Sequence, residues 1–372
     1  MKKITSLLTL GLGIVFGINA QTFVNTSSEN KNVLLEEFTG IYCGYCPDGH
    51  KMAKDLADAN SGDVFLINIH TGNYANPNAG DPDFTTSYGA SIASQASVSS
   101  YPAGSVNRNV YTGGKMAMSR SYWDQYATQV MGEASYVNVA AQSSIDLNTR
   151  VLTINVEAYY TSSSAAASNM LNVALLQNNI AGPQSGGATY NPSQILANGD
   201  YNHMHMLRHL ITGQWGESID TTASGTFISR TYTYTVPNDL NGVVYNLMDL
   251  EVLVFVAEGN DNVISANKSS MSYITPPGQS IVDLGASTNM SVSSMCTYSV
   301  TPEVTINNEG SVAVDTFDVS YSLNGGSTVS ETIYSSLAPG ASTTHQFASI
   351  STSGGPNELT FDVKVENYFS YL

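Results

Sequence analysis

The sequence predicts an α/β domain followed by two all-β sandwich domains. The hydrophobic pattern changes from strand to helix and back to strand within residues 33–69, which is typical of an α/β sheet. Beyond residue 135, strand patterns dominate. Charged residues make up only 12% of the chain, which suits short strands joined by turns. A chain of 372 residues also exceeds what one hydrophobic core usually organises.

The first twenty residues have the layout of a secretory signal peptide. Lys2 and Lys3 precede an apolar run at 7–18, which ends near Ala20. This run is shorter than the roughly twenty residues that a membrane-spanning helix needs. We therefore expect residues 1–20 to be cleaved and the mature chain to have no transmembrane segment. Its location would be the periplasm, the outer membrane surface or the extracellular space.

The charge balance excludes two classes of partner. Thirteen basic residues against thirty acidic ones give a net charge of −17. Such a chain repels nucleic acid and anionic lipid, so we expect it to bind neither. The acidic residues are scattered rather than clustered, so solubility explains the charge better than a cation site. No metal or other cofactor is predicted.

The first domain, placed at residues 24–135, alternates strands and helices. Pro47 suits a first helical turn, and Asn60 with Gly62 suits a helix end. A helix between two buried strands is the crossover of a parallel pair. The predicted elements are a strand at 33–38, a helix at 47–60, a strand at 64–69 and helices near 84–96 and 119–134.

The rest of the chain is predicted to form two β domains. Residues 136–274 form a β-sandwich that carries an insertion near 180–216. The segment ITPPGQS then makes a Pro/Gly linker. Residues 281–372 fit a small immunoglobulin-like sandwich, with a hairpin signal at Asn324–Gly326.

The pair Cys43 and Cys46, in the motif CGYC, is the most chemically informative feature of the sequence. It lies between a predicted buried strand and a helix. A helix N-terminus favours a thiolate, so we expect Cys43 to be an exposed nucleophile and Cys46 to resolve the mixed disulfide. The spacing also begins many zinc sites, but no second CxxC or CxxH pair is present. His50, one turn further, is expected to face solvent.

Two positions elsewhere support the redox interpretation. Glu37, on the predicted buried strand, could lie behind Cys46 and accept its proton. Alternatively, Glu36 and Glu37 merely end a strand near solvent. Pro102, in SSYPAGSVNR, could be cis and bring backbone groups against the dithiol. The alternative there is an ordinary trans proline in a turn.

The run VLLEEFTGIYCGYCPDGH resembles the active-site segment of thioredoxin-fold proteins, and SYPAGSVNR is similar to their cis-proline loop. Together with INIHTG and NHMHMLRHLITGQWGE, these segments resemble the outer membrane protein 28-related family of exported bacterial proteins over residues 32–272. The resemblance implies a thioredoxin-like domain with a redox pair at Cys43 and Cys46, a carboxyl at Glu37 and a cis proline at Pro102. Gly-Tyr between the cysteines departs from a plain thioredoxin, so a redox potential and a partner are not implied.

Four histidines and one cysteine need separate interpretation. His203, His205 and His209 look like metal ligands, but we expect no carboxylate beside them to complete a metal shell, and a packed insertion is the favoured interpretation. His70 ends a predicted strand, at the sheet edge where ligands often bind. Cys296 is alone in the third domain and is either a buried free thiol or half of an intermolecular disulfide.

Two functions follow from these features. In the first, an exported protein exchanges disulfides with protein thiol or disulfide substrates through Cys43 and Cys46. In the second, a surface adhesin or binding protein uses its sandwiches to hold surface ligands, and the cysteine pair is a static disulfide. The signal peptide and the charge fit both. The oligomeric state stays open.

Overall fold

The computed structural model describes residues 23–111, 113–276, 278–288, 299–352 and 357–365. The predicted signal peptide at 1–20 and Cys296 lie outside the described residues.

Helices are few and lie mostly in the first third of the chain. The helix after the cysteines begins at Cys46, and the helix expected at 84–96 is shorter than predicted. The helices are α1 (Cys46–Ala59), α2 (Gly89–Ala96), α3 (Trp123–Met131) and α4 (Gly187–Tyr190), with short 3₁₀ turns at Asn73–Ala75, Arg120–Tyr122, Pro192–Gln194 and Leu247–Asp249.

Strands make up most of the regular structure. In chain order they are β1 (Val33–Thr39), β2 (Val64–His70), β3 (Ala103–Val106), β4 (Val137–Asp146), β5 (Val151–Tyr160), β6 (Asn169–Gln177), β7 (Ile180–Gly182), β8 (Tyr201–His203), β9 (Met206–Leu210), β10 (Glu217–Ile219), β11 (Phe227–Thr235), β12 (Asp239–Leu240), β13 (Val243–Val244), β14 (Leu250–Glu258), β15 (Asp261–Lys268), β16 (Ser270–Ile274), β17 (Leu284–Ser287), β18 (Ser299–Val300), β19 (Glu303–Asn308), β20 (Val314–Leu323), β21 (Val329–Leu337), β22 (Ser342–Gln346), β23 (Ile350–Ser351) and β24 (Leu359–Lys364).

One eight-stranded sheet organises the first two thirds of the chain. Its order is β15–β14–β6–β9–β2–β1–β3, and β10 adds to β6. β1 and β2 are parallel, as the strand–helix–strand pattern predicts, and β3 runs antiparallel at the edge of β1. The sheet therefore joins strands from both sides of residue 135.

The expectation that residues 180–216 form an insertion on the sandwich is wrong for part of this segment. Its histidine-rich part forms β9, which lies inside the sheet between β6 and β2. A strand of five residues that contains His and Arg gives no clear two-residue period, and its pairing depends on neighbours far away in the chain. The sequence pattern therefore could not reveal this strand.

Three apolar cores surround this sheet. The four-stranded sheet β11–β5–β4–β16 packs over β6 and β14, as expected for a β-sandwich. A second core lies between the opposite face and α2. In the third, α1 and α3 cover β1, β2 and β3 through residues such as Leu35, Leu66 and Trp123. The face of β1 that carries Val33 and Leu35 is thus the face beneath α1.

The C-terminal block forms a sandwich with its own core. Its two three-stranded sheets are β17–β19–β22 and β21–β20–β24. Ile306, Phe317, Val319 and Phe347 are buried between them. This agrees with the immunoglobulin-like sandwich that the sequence predicts for this part of the chain.

Candidate functional site

Cys43 and Cys46 form a disulfide bond at the start of α1. Their Cα atoms are 5.3 Å apart, and Cys46 is the first residue of the helix. The loop is held by two backbone hydrogen bonds, from Cys43 N to the Gly40 carbonyl at 2.9 Å and from Cys46 N to the Cys43 carbonyl at 3.2 Å. Both sulfurs belong to buried residues, since Cys43 is 3% exposed and Cys46 0%. The expectation of an exposed Cys43 is therefore wrong for the disulfide form.

Residues 183–190, which we call the cover segment, lie against the disulfide loop. Ser185 N donates to the Ile41 carbonyl at 2.8 Å, and Gln184 Nε2 donates to the Cys43 carbonyl at 3.0 Å. Gly186 has a φ of 76°, and a Cβ there would collide with the carbonyl oxygen of Gly44. The cover segment thus approaches the loop as closely as only glycine allows.

Glu37 lies beneath the first turns of α1. The two-residue period of β1 places it on the same face as Val33 and Leu35. It is 1% exposed, and neither carboxylate oxygen has a hydrogen-bond partner. Burial raises its pKa well above the usual value, and the charge of Arg120 opposes this only in part. The structure agrees with the expectation that Glu37 lies on the buried face of β1. The alternative, that Glu37 lies near solvent at the end of the strand, is wrong.

Gly49 brings Glu37 and Pro102 to the same place on α1. A Cβ on Gly49 would collide with Oε1 of Glu37 and would lie 3.0 Å from Cβ of Pro102. Gly49 is three residues after Cys46, so the two positions share a helix face. The Tyr101–Pro102 peptide bond is cis. The carboxyl and the proline predicted from the sequence therefore both lie against the face of α1 that carries Cys46.

The neighbouring carboxylate of Glu36 has a different environment. It points to the other face of β1 and forms two hydrogen bonds with the buried guanidinium of Arg108, at 2.9 and 2.6 Å. This bidentate pair neutralises the Glu36 carboxylate and gives both of its oxygens a donor. Glu36 is therefore structural, and Glu37 is the carboxylate without a partner.

His50 is buried, and the expectation that it faces solvent is wrong. It is four residues after Cys46, on the inner face of α1. Its Nε2 lies 2.9 Å from Oγ1 of Thr39 and 3.9 Å from Oε1 of Glu37. Its Nδ1 lies 3.0 Å from the hydroxyl of Tyr201. Burial, with a smaller contribution from His203, lowers its pKa to about 3.

Of the other candidate histidines, His70 and His203 lie together, whereas His205 and His209 have separate partners. His70 and His203 are buried with ring centroids 5.3 Å apart, and burial lowers the pKa of both. His205 lies 3.1 Å from Glu251, whereas His209 contacts the ring of Tyr234. In the described ranges, no group of three or more His, Cys, Asp or Glu is arranged to hold a metal ion. The expectation that no carboxylate accompanies these histidines is wrong for His205, because its partner comes from β14.

Sequence reasoning missed Tyr201 and the cover segment. Both belong to the part of the chain that was expected to be an insertion. Tyr201 is 151 residues from His50, and Gln184 is 141 residues from Cys43. No local pattern signals contacts over such separations, although Gly186 next to Gly187 is a signal of close backbone approach.

Comparisons with known proteins give two family matches. Residues 90–272 match the family described as Outer membrane protein Omp28, and residues 282–370 match CARDB. The Omp28 match includes Pro102 but begins after Cys43 and Cys46. A search of curated proteins found no match. The part of the chain that the structure describes contains no helix able to span a membrane.

Several solved structures are similar to the chain. HBP35 of Porphyromonas gingivalis is 18% identical, with a TM-score of 0.49, and the match covers 90% of this chain and 98% of that one. A protein from Agrobacterium tumefaciens is 12% identical, with a TM-score of 0.41 and coverage of 65% and 95%. A domain of the outer membrane lipoprotein Omp28 from Porphyromonas gingivalis is 16% identical, with a TM-score of 0.25 and coverage of 37% and 90%.

The family matches agree with two expectations from the sequence. An outer membrane family is consistent with the export that the signal peptide predicts. The CARDB match agrees with the C-terminal sandwich. The chain is therefore an exported protein that is related to the Omp28 outer membrane proteins over residues 90–272 and carries a CARDB module over residues 282–370.

Proposed function

We propose that this exported protein exchanges disulfides with other proteins through Cys43 and Cys46, at the outer membrane surface or in the periplasm. The observation that carries the proposal is Glu37, a buried carboxyl without a hydrogen-bond partner against the helix face of Cys46. The parallel β1–β2 pair around α1, with Pro102 leading into β3, supports a thioredoxin-like unit at residues 24–135.

An unpartnered buried carboxyl needs an explanation, because it destabilises the fold. Burying a polar group without a partner costs about 1–3 kcal/mol by protein mutational data. Glu36, one residue away, avoids this cost through Arg108. Groups with strongly perturbed pKa values and no structural partner are common at functional sites. A role as proton acceptor for Cys46 accounts for leaving Glu37 unpaired.

The chemistry follows the order of the two cysteines. The Cys43 thiolate attacks a substrate disulfide, forms a mixed disulfide and releases one substrate sulfur as a thiolate. Cys46 then gives its proton to the Glu37 carboxylate, and its thiolate attacks the Cys43 sulfur. The second substrate sulfur leaves as a thiolate, which takes a proton from water. The substrate gains two electrons and the cysteine pair loses them; the reverse sequence oxidises a substrate dithiol.

A substrate can reach Cys43 only if the cover segment moves. Ser185 and Gln184 bond to the backbone of the disulfide loop, and Tyr190 packs on the ring of Tyr45 with centroids 5.2 Å apart. These contacts are few, and α4 is a single turn. We therefore include opening of residues 183–190 as a step that precedes attack.

Burial of both cysteines favours a second candidate function. In that case the disulfide is a static link and the protein binds ligands at the cell surface through its sandwiches. The Omp28 and CARDB matches are compatible with such a binding protein. The two functions differ in whether the reduced pair forms covalent intermediates.

Trapping of mixed disulfides separates these candidates. The mature Cys46→Ser protein should accumulate mixed disulfides with envelope proteins, because the attacking Cys43 has no resolving partner. The Cys43→Ser protein is the matched control and should accumulate none. After reduction, alkylation near neutral pH should label Cys43 faster than Cys46. Equal labelling, with no trapped protein in either variant, would favour the static disulfide.

A further inference from the structure

A pocket lies beside α1, next to His50 and Ala53. Its empty volume, including the mouth, is about 470 Å³. His50, Tyr201 and Asn191 line it, together with Asn68 and His203. His50 connects this pocket with Glu37, because it lines the pocket and its Nε2 lies 3.9 Å from Oε1 of Glu37.

Hydrogen bonds connect the pocket residues to both ring nitrogens of His50. Ser193 Oγ donates to the side-chain oxygen Oδ1 of Asn191, and Nδ2 of the same side chain donates to the Tyr201 oxygen at 2.9 Å. The Tyr201 oxygen has a second lone pair, which accepts from Nδ1 of His50 in the tautomer with the hydrogen on that nitrogen. In that tautomer His50 Nε2 carries no hydrogen and accepts from Thr39 Oγ1. Two groups thus hold the ring between Glu37 and the pocket.

The carboxyl of Glu37 is shielded from water. It is 1% exposed, and its oxygens accept no hydrogen bond. A buried proton acceptor must nevertheless lose its proton before the next cycle. Imidazole can serve this need, because it takes a proton at one nitrogen while it releases another at the second.

We propose that His50 transfers protons between Glu37 and the pocket, and that Tyr201 positions its ring for this transfer. The inference rests on the proposed exchange function and assigns the exit route for the Cys46 proton. In the tautomer with the hydrogen on Nδ1, protonated Glu37 gives its proton to the bare Nε2, while Nδ1 gives its own proton through the Tyr201 hydroxyl to pocket water. The carboxylate is regenerated, and one proton leaves. In the opposite half-cycle the transfer runs inward and restores the original tautomer.

The surroundings of His50 suit a concerted transfer rather than storage of a positive charge. The titratable groups that influence the ring are Glu37, Tyr201 and the histidines His70 and His203. Burial holds the pKa of His50 at about 3, so the ring stays neutral near neutral pH. A neutral ring passes a proton by exchanging which nitrogen carries the hydrogen.

The test is the rate at which Cys46 resolves a mixed disulfide. The reduced mature protein, in a Cys296→Ser background, is mixed with dithiobis-nitrobenzoate, and release of the second nitrothiobenzoate reports resolution. His50→Ala should slow this release by at least roughly tenfold, since positioned proton transfer contributes about 10²–10⁴-fold. Added imidazole should enter the pocket and restore the rate. Tyr201→Phe should slow it less.

Two further variants make the result unambiguous. His209→Gln removes a partly buried histidine that does not line this pocket and stacks on Tyr234, and it should resolve at the wild-type rate. His50→Gln keeps hydrogen-bonding groups at this position and replaces His50→Ala in the test if that variant does not fold. Its Cys46 should also resolve the mixed disulfide slowly. Resolution at the wild-type rate in the folded His50 variants, or no rescue by imidazole, would overturn the proton route alone. Failure of the wild-type protein to release a second nitrothiobenzoate would overturn the exchange function, and the proton route with it.

Discussion

Replacing Glu37 by glutamine should remove a pH dependence from the stability of the oxidised protein. Glutamine has almost the same shape as a protonated glutamate but cannot ionise. Burial raises the pKa of Glu37 well above the value of about 4.3 that it has in an unfolded chain. The folded protein therefore keeps the proton at pH values where the unfolded chain has lost it.

The difference in the pKa of Glu37 between the folded and unfolded states sets the sign and size of the change in stability with pH. Below the unfolded pKa both states hold the proton, and the stability that Glu37 contributes is fully present. As pH rises towards the folded pKa, only the unfolded chain releases the proton, so the free energy of unfolding falls by about 1.4 kcal/mol per pH unit. The free energy of unfolding stops falling once the pH exceeds the pKa of Glu37 in the folded protein. The Glu37→Gln protein should be the more stable of the two above the unfolded pKa, by an amount that grows with pH.

Urea unfolding at a series of pH values measures this effect. Trp123 is buried in the core that α1 and α3 share with β1, so its fluorescence reports on the unit that contains Glu37. A Trp215→Phe background leaves it as the sole tryptophan. Parallel stability curves with and without the Glu37→Gln change would refute the reasoning, because they would mean that the carboxyl titrates normally in the folded state.

Glu251 provides a control of opposite sign. It is also buried, and burial raises its pKa, but His205, Lys268 and Asn178 together lower the pKa to about 2. Its stabilising effect is therefore present above the unfolded pKa and is lost as pH falls towards the folded one. Glu251→Gln should flatten the acid side of the stability curve and leave the neutral side unchanged in slope.

Two further changes test the cover segment and the structural carboxylate. Gly186→Ala adds a Cβ against the disulfide loop at positive φ, so it should speed reduction of the disulfide by a small dithiol; Gly199→Ala, also at positive φ but in open space, should not. An unchanged rate for Gly186→Ala would mean that the cover segment does not limit access. Arg108→Met should lower the free energy of unfolding by about 3–5 kcal/mol, because it leaves the Glu36 carboxylate buried and unpaired. A loss below about 1 kcal/mol, the range of exposed ion pairs, would contradict that assignment.

Local pattern was sufficient for the elements that carry the cysteines. The apolar run at β1, the helix signals after Cys46 and the buried run at β2 each lie within one short segment, so their periods predict a parallel pair around α1. The same period places Glu37 on the face beneath the helix. Pro102 lies against that helix face as well.

Contacts between distant segments could not be predicted in the same way. The pairing of β9 with β2, the hydrogen bond from Tyr201 to His50 and the cover segment over Cys43 all join residues more than 130 positions apart. These contacts depend on how the larger sheet closes, and His50 was misplaced because its buried partners come from that sheet. The candidate site was the hardest part to predict from the sequence, since three separate parts of the chain meet there.

A redox titration of the mature protein in thiol–disulfide buffers tests the central claim most directly. If Cys43 and Cys46 exchange disulfides with other proteins, their midpoint potential should lie within about −270 to −120 mV, the range of known exchange proteins. The Glu37→Gln protein should reach the same equilibrium more slowly. A midpoint below about −300 mV, typical of structural disulfides, would contradict the account and leave the pair as a static link.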